Sequence, residues 1–326
     1  MQIHVYDEAQ KERWDRFVSS SKNGTFLFLR DYMDYHQDRF CDHSLLIENG
    51  NGQLLALLPA HRDGAAFISH AGLTYGGFIT SEAMKVPKML EVFEAVLSYL
   101  QEKDFSKFIY KTIPYIYHRV PAEEDRYALS LCDASVTRRG VLTAISTKNK
   151  LPFQERRERG VRRALQNHLT VRHCDDYASF WKILSEVLQR TYNTQPVHSL
   201  AEIELLTHKF PHNIKLFGCF KDENMFAGVV VYESDQVARS QYIASSELGR
   251  KYGALDLLFS YLINDYYWQK PFLDLGTSDE DDGRCLNKGL IDQKEGFGAR
   301  VVVHDHYEID LLAYRPGSLI RAMEWA

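Results

Sequence analysis

An α/β (α+β) fold made of two similar halves, each a mixed and mostly antiparallel sheet flanked by helices, is what this chain predicts. Three observations carry the prediction. The stretch from Ile214 to Thr277 reads strand, strand, strand, glycine-bearing turn, helix, strand, because β-branched runs give way to apolar residues at helical spacing. The same order recurs between His43 and Tyr110 with negligible residue identity, so the repeat is one of architecture. Finally, 326 residues with 45% apolar and 13% aromatic content suffice for two well-formed cores. The expected domains are residues 1–150 and 151–326.

The first half opens with a short strand and a helix carrying Trp14, Phe17 and Val18. The aromatic segment Phe26 to Phe40 is expected as a second helix whose rings serve the core. His43 to Glu48 and Gln53 to Ala60 are strands joined through Asn49-Gly50-Asn51-Gly52, a hairpin signal because Asn and Gly both tolerate positive φ. Ala66 to Ser69 adds a third strand and leads into the small-residue loop Ala71 to Phe78. Met89, Val92, Phe93, Val96, Leu97 and Leu100 share one helix face, and Lys107 to Tyr110 returns as a strand. Tyr127 to Leu131 and Ser135 to Ile145 read as strands closing this half.

Between the halves, Phe153 to His168 is a helix dense in arginine. Arg156, Arg159 and Arg163 recur at three- and four-residue spacing, a face suited to phosphate through charge and forked hydrogen bonds, or else an ordinary solvated surface. Asp176 is placed to cap the next helix, and Ser199 with Glu202 forms a capping box for another. Ile214 to Phe220 and Met225 to Tyr232 make a hairpin, and Gln241 to Ala244 is its third strand. The turn that follows, Leu248 to Ala254, holds Gly249, Arg250 and Gly253 and feeds the helix marked by Leu255, Leu258, Phe259, Leu262, Ile263 and Tyr266. Such a turn suits an anion, since amides at a helix start are unpaired and the helix dipole favours negative charge. The alternative is that the two glycines only turn the chain. Phe272 to Leu275 returns as a strand, and Arg300 to His304 and Tyr307 to Leu311 are expected as two final strands.

A net charge of −5 and a pI near 6.2 give no global basic surface, so nucleic acid is not expected as a partner. Cys41, Cys132, Cys174, Cys219 and Cys285 are scattered, odd in number and never paired as CxxC, which argues against a disulfide framework and a zinc site; no metal is expected. The first residues lack the basic and apolar regions of a secretory signal, and no apolar run is long enough to span a bilayer. A cytoplasmic protein without an integral membrane segment is therefore expected, and a homo-oligomer stays open.

The hairpin with Phe226-Ala227-Gly228-Val229-Val230-Val231, the Arg250-x-x-Gly253 turn before a long helix, Leu275-Gly276-Thr277-Ser278 and Lys294-Glu295-Gly296-Phe297-Gly298 together carry a family likeness. The second half resembles the acyl-CoA N-acyltransferase fold of the GNAT superfamily, and the layout is similar to its FemAB-like branch, with the Pro196-Val197-His198-Ser199 and basic-helix segments in keeping. The family's phosphate loop ends on Gly or Ala where this chain has Leu255, with Ala254 one position early. The expected fold is therefore two tandem GNAT-like domains, the first degenerate and acceptor-binding, the second catalytic.

The resemblance implies an acyl-CoA donor, acetyl-CoA or a short hydroxyacyl-CoA, with its pantetheine arm along Gly228 to Tyr232, including Val229, Val230 and Val231. It also implies a diphosphate on Leu248, Gly249, Arg250, Lys251, Tyr252, Gly253 and Ala254, with Ser278 nearby and an oxyanion donor near Val229. An amine that attacks a thioester needs a base, an oxyanion donor and a proton source for the thiolate. His198 is the first candidate base, because an imidazole titrates near neutrality, with Glu204 and Asp274 as alternatives; Tyr242 and Tyr192 are candidate acid or positioner. Tyr75, Gly76, Arg156, Arg159, Arg163, Tyr192, Asn287 and Lys294 are the expected substrate-binding residues. By resemblance to shorter FemAB-like relatives, the acceptor is the amine of a nucleotide-linked aminodeoxy sugar for surface polysaccharide, dTDP-3-amino-3,6-dideoxyhexose being the specific guess. An aminoacyl-tRNA-dependent transferase and a non-catalytic binding protein are the alternatives.

Overall fold

The computed structural model describes residues 1–323. The chain forms two compact units, Met1–Gly140 with the segment from Val303 on, and Val141–Val302. The boundary thus falls within the strand Ser135–Ser146, ahead of residue 150, and the last strand returns to the first unit.

In the first unit, Gln2–Val5, Leu45–Glu48, Leu54–Leu58 and Ile79–Thr80 pair antiparallel in that order. The hairpin turn is made as expected: the Asn49 Oδ1 accepts from the amides of Asn51 and Gln53, both at 3.0 Å, and Gly52 takes a φ of +75°. A second ladder joins His61–Asp63, Ala66–Ile68 and Lys107–Lys111, and its Ala66 to Ile68 against Lys107 to Ile109 pairing is parallel. The helix Val86–Glu102 buries all six of its expected apolar residues, packed with Phe67, Phe78 and Phe108.

Three expected elements differ. Phe26 to Phe40 is not one helix: Phe26–Phe28 and Asp34–His36 are 3-10 turns around a four-residue helix, Arg30–Met33. The buried Arg30 explains the break. Its guanidinium lies 3.7 Å from the Tyr6 ring centroid and bonds both Asp34 and Asp42, and a buried charge keeps its place only with partners brought in from more than one element. Tyr127 to Leu131 belongs to a helix, Glu124–Leu131, whose first turn holds Glu124 and Asp125 and whose Ala128 and Leu129 are buried; five residues are too few for the period to show. Arg300–Asp310 is one continuous strand.

Burial holds the His43, His61, His70 and His118 imidazoles below their ordinary value, His118 at about 4. Because the unfolded chain binds more protons than the folded one between pH 6.5 and 4, stability falls as pH falls through that window. At pH 5 the His118 contribution alone is about 2 kcal/mol. The melting temperature is expected to drop between pH 7 and pH 5, and His118→Phe is expected to flatten that drop.

In the second unit the sheet runs Thr170–Cys174, Ile214–Lys221, Asn224–Glu233, Val237–Ser245, Phe272–Thr277 and then residues 142–146 of Ser135–Ser146. All neighbours are antiparallel except Val237–Ser245 with Phe272–Thr277. Each unit therefore has one parallel pair, third strand against returning strand, which is the repeat read from the sequence. Side chains alternate across the sheet. Ala227, Val229 and Val231 pack with Leu258 and Phe259 of the helix Ala254–Tyr261. Gly228 faces the opposite side, where a Cβ would lie 2.3 Å from the Phe180 ring of the helix Tyr177–Tyr192. Both predicted caps are present: Asp176 accepts from the Ser179 amide at 3.0 Å, and Ser199 and Glu202 close their box at 3.2 and 2.7 Å. Among the described residues no helix is long and apolar enough to cross a membrane, and no group of three or more His, Cys, Asp or Glu is placed to hold a metal ion.

Candidate functional site

The parallel pair sets the site. Val237 to Arg239 match Phe272 to Asp274, and there the ladder ends. The cause is local: the Asp274 Oδ1 accepts the Gly276 amide at 2.7 Å, and Gly276 turns at a φ of +80°, so this strand leaves its neighbour. The edge of Ser240 to Ser245 is left beyond the fork. On its other side the same strand carries a bulge, since Val230 opposes Tyr242 and Val231 opposes Ser240, leaving Gln241 out of the register.

Charged groups gather at the fork. Asp274 is fully buried and pairs with Arg239 at 2.5 Å. Lys294 is 5% exposed and donates to the Thr277 carbonyl at 2.5 Å. It comes from the helix Lys288–Glu295, which Asn287 caps by accepting the Leu290 amide at 2.9 Å. Burial pushes the Lys294 ammonium down to about 8, reinforced by Arg239 and opposed by Asp274 and Asp279. The unfolded lysine binds more proton between pH 8 and 10.5, so stability rises with pH across that window. Urea midpoints between pH 8 and 10 are expected to show this rise in the wild type and to lose it in Lys294→Met.

An apolar slot of about 240 Å³ opens at the fork, lined by Val187, Ile243, Ala244, Leu255, Phe259, Leu275 and Phe297, with Lys294 also on its lining. Through Ser245, Arg250, Leu255 and Gln293 it joins a larger cleft of about 510 Å³. Arg156, Arg157, Arg159, Arg163 and Arg250 line that cleft, against Asp256 as its acidic lining residue. Arg157 pairs with Asp256 at 2.7 Å, and Arg156 with Asp292 at 2.5 Å. Arg159 reaches Glu155, on its own exposed helix face, at 2.9 Å. Arg163 has no ion pair among the described residues, and the half-exposed Arg250 only approaches Glu247, at 3.8 Å. The Nε atoms of Arg156 and Arg157 are buried without a hydrogen-bond partner. Net positive charge with unused donors is what an anion requires.

The turn Leu248 to Ala254 is not an open loop. Glu247–Tyr252 is a short helix, Ser246 accepting the Gly249 amide at 3.0 Å and the Arg250 amide at 2.9 Å, so the amides expected to meet phosphate are partly spent inside it. Gly249, Arg250 and Gly253 line the cleft; Leu248 and Lys251 are exposed, Tyr252 stacks on Phe226, and Ala254 is buried. Gly253 takes a φ of +81° with the Gly160 carbonyl 2.4 Å from where a Cβ would sit, so the arginine helix packs directly onto the turn. Val229, Val230 and Val231, expected along the donor arm, are buried and paired on both sides, and the free edge and the bulge belong to Val237–Ser245.

His198 and Tyr242 are brought together. The His198 Nδ1 bonds the Tyr242 hydroxyl, and both side chains are buried; neither lines the slot or the cleft. Asp274 is tied to Arg239 and Gly276. Glu204 and Tyr192 are exposed on helices outside the cleft lining, and Ser278 is buried without a hydrogen-bond partner for its hydroxyl. In the first unit Tyr75 is a core residue donating to Thr25 at 3.0 Å, and a Cβ on Gly76 would lie 2.5 Å from the Ser69 carbonyl, so that loop is closely packed. Lys111 donates to the Leu73 carbonyl at 2.6 Å and ties the loop down. Arg239, Asp256, Gly160 and Gln293 are not foreseen from the sequence, and Arg157 is foreseen only as one of the arginines of the basic helix. One signal was available: a glycine amid arginines in a helix costs about 1 kcal/mol against alanine and marks a close approach.

No family model matches the chain, and no curated protein matches it by sequence. Solved structures do resemble it. FemX superposes with a TM-score of 0.68 at 11% identity, covering 99% of this chain and 100% of that one. L-PGS from Bacillus licheniformis gives 0.61 at 11% identity over 98% and 97%. A tandem GNAT protein from the clavulanic acid biosynthesis pathway gives 0.52 at 9% identity over 95% and 98%. At these identities the likeness is one of fold: tandem GNAT-like α/β domains, related in layout to FemX.

Proposed function

We propose that this protein is an acyltransferase that takes its acyl group from a coenzyme A thioester and passes it to an amine. The observation that carries the reading is the free, bulged strand edge at the fork, continuous through an apolar slot with an arginine-lined cleft. A strand edge without a neighbour offers amides and carbonyls to a ligand that has its own, and the pantetheine arm carries two amide groups. Arg157, Arg163 and Arg250 meet the phosphates. The Gln241 amide at the bulge is the group we assign to the thioester oxygen as charge develops on it. The amine attacks the carbonyl carbon, the new C–N bond forms as the C–S bond breaks, and the thiolate takes a proton. Lys294, buried at the fork with a value of about 8, is the proton-exchanging residue we place there.

For the acceptor we propose the amine of a nucleotide-linked aminodeoxy sugar; the arginines beyond those needed for one diphosphate support it. A second reading, transfer from aminoacyl-tRNA, is favoured by the exposed Arg159, Arg162 and Arg163 of the same helix, which offer charge to a longer polyanion. Thermal shift against coenzyme A, acetyl-CoA, dTDP and bulk aminoacyl-tRNA separates them. A ligand at about 100 times its Kd adds about 2.7 kcal/mol, so coenzyme A is expected to raise the melting temperature by several degrees. Response to tRNA alone would favour the second reading, and a panel of nucleotide amino sugars with free-thiol release then identifies the acceptor.

A further inference from the structure

Resting on the acyl-CoA reading, we infer that Lys294 is a self-acylation site: with no acceptor in place, its amine takes the acyl group of a donor lodged in the slot and becomes an Nε-acyl-lysine. Lys294 lines the slot, and among the described residues no other lysine and no cysteine lines either the slot or the arginine cleft. The other polar groups there are spent. The Arg250 guanidinium stays protonated, the Asp256 carboxylate pairs with Arg157 at 2.7 Å, and the Ser245 hydroxyl is donated to the Phe226 and Ser246 carbonyls at 3.4 and 3.3 Å. Lys294 is 5% exposed, has no ion pair among the described residues, and gives one N–H to the Thr277 carbonyl at 2.5 Å.

Burial, reinforced by Arg239 and opposed by Asp274 and Asp279, holds the ammonium at about 8. Arg250 on the slot lining and Lys288, Asp292 and Glu295 of its own helix are the further charges on the surrounding elements. About one Lys294 amine in ten is therefore neutral at pH 7, against about one in 2,500 for an ordinary lysine. The neutral nitrogen attacks the thioester carbonyl carbon; its C–N bond forms as the C–S bond breaks, and the proton it sheds goes to the thiolate. Acyl-lysine and free coenzyme A are the only products. This is the transfer chemistry with the lysine in the acceptor's place, and a bound donor makes the step unimolecular. The amide that results carries no charge and exchanges no proton at neutral pH, so a chain starved of acceptor caps the group placed at the fork for proton exchange.

The test is to incubate the whole chain with acetyl-CoA and no acceptor, and to follow acetylation lysine by lysine by peptide mass spectrometry, with coenzyme A binding measured in parallel by calorimetry. The exposed Lys288, on the same helix, and the exposed Lys251 are the internal controls. Lys294 is expected to gain its acetyl group at least about 100-fold faster than either, with a rate that rises from pH 7 to 8 and then levels, while the controls go on rising. The nucleotide-free thioester S-acetyl-N-acetylcysteamine is expected to lose that preference. Lys294→Arg is expected to abolish the fast label and leave Lys288 and Lys251 unchanged; should it not fold, the site map of the wild type decides alone. Coenzyme A binding with Lys294 labelled no faster than the controls overturns the inference, and so does an equal preference for Lys294 from the nucleotide-free thioester. A wild type that binds no coenzyme A sinks the donor reading and this inference with it, an outcome distinct from binding without self-acylation.

Discussion

Asp274→Ala is expected to destabilise the second unit by about 3–5 kcal/mol, the cost of leaving one member of a buried ion pair uncompensated. The carboxylate is fully buried, pairs with Arg239 at 2.5 Å and takes the Gly276 amide at 2.7 Å. Its removal breaks the buried pair with Arg239 and releases the turn that parts the two strands. For a domain of this size each kcal/mol moves the melting temperature by about 2–4 °C, so a drop on the order of 10 °C is expected by calorimetry. A paired change, Asp274→Leu with Arg239→Met, removes both charges and is expected to recover most of that loss, since well-packed apolar residues often replace a buried pair without penalty. A single variant within about 1 kcal/mol of wild type would show that the pair does not hold the fork.

The other large effect is on the ligand. Arg163 and Arg250 line the cleft without a close acidic partner, so replacing them strands no buried carboxylate. Each is exposed enough for solvent to screen it, and about 10-fold in Kd for coenzyme A is expected per arginine, about 100-fold for the double Arg163→Ala, Arg250→Ala variant. The wild type is expected to weaken between low and high salt more steeply than the double variant, because the screened interaction is the one removed. Titration calorimetry at two salt concentrations measures both, and unchanged affinity with an unchanged salt slope would place the phosphates elsewhere.

Much of the fold was legible because it rests on short-range rules. The hairpins, the capped helices at Asp176 and Ser199, the arginine helix and the repeated order of elements all follow from period, turn chemistry and caps, which act within a few residues. Where a local rule met a tertiary demand, it gave way. The aromatic segment after Phe26 broke so that Arg30 could be buried among Tyr6, Asp34 and Asp42, partners spread over 36 positions of sequence, from 6 to 42. Gly253, which ends the short helix Glu247–Tyr252 at a φ of +81°, also admits the Gly160 backbone, a contact between residues 93 positions apart, from 160 to 253.

The candidate site divides along the same line. The sequence by itself determined which chemistry was on hand: arginines grouped on one helix, an Arg-x-x-Gly turn before another, a lysine ahead of Gly296, and two alternating sheets to carry them. Tertiary structure alone decided what they do together. It set Arg157 and Arg250 on one cleft, moved the open strand edge from Val229 to Ser240–Ser245, and joined His198 to Tyr242 away from the cleft. The physical reason is that a strand edge, a bulge and a charge cluster are properties of pairing between distant segments, and pairing is settled by burial and register, which no single stretch of sequence contains.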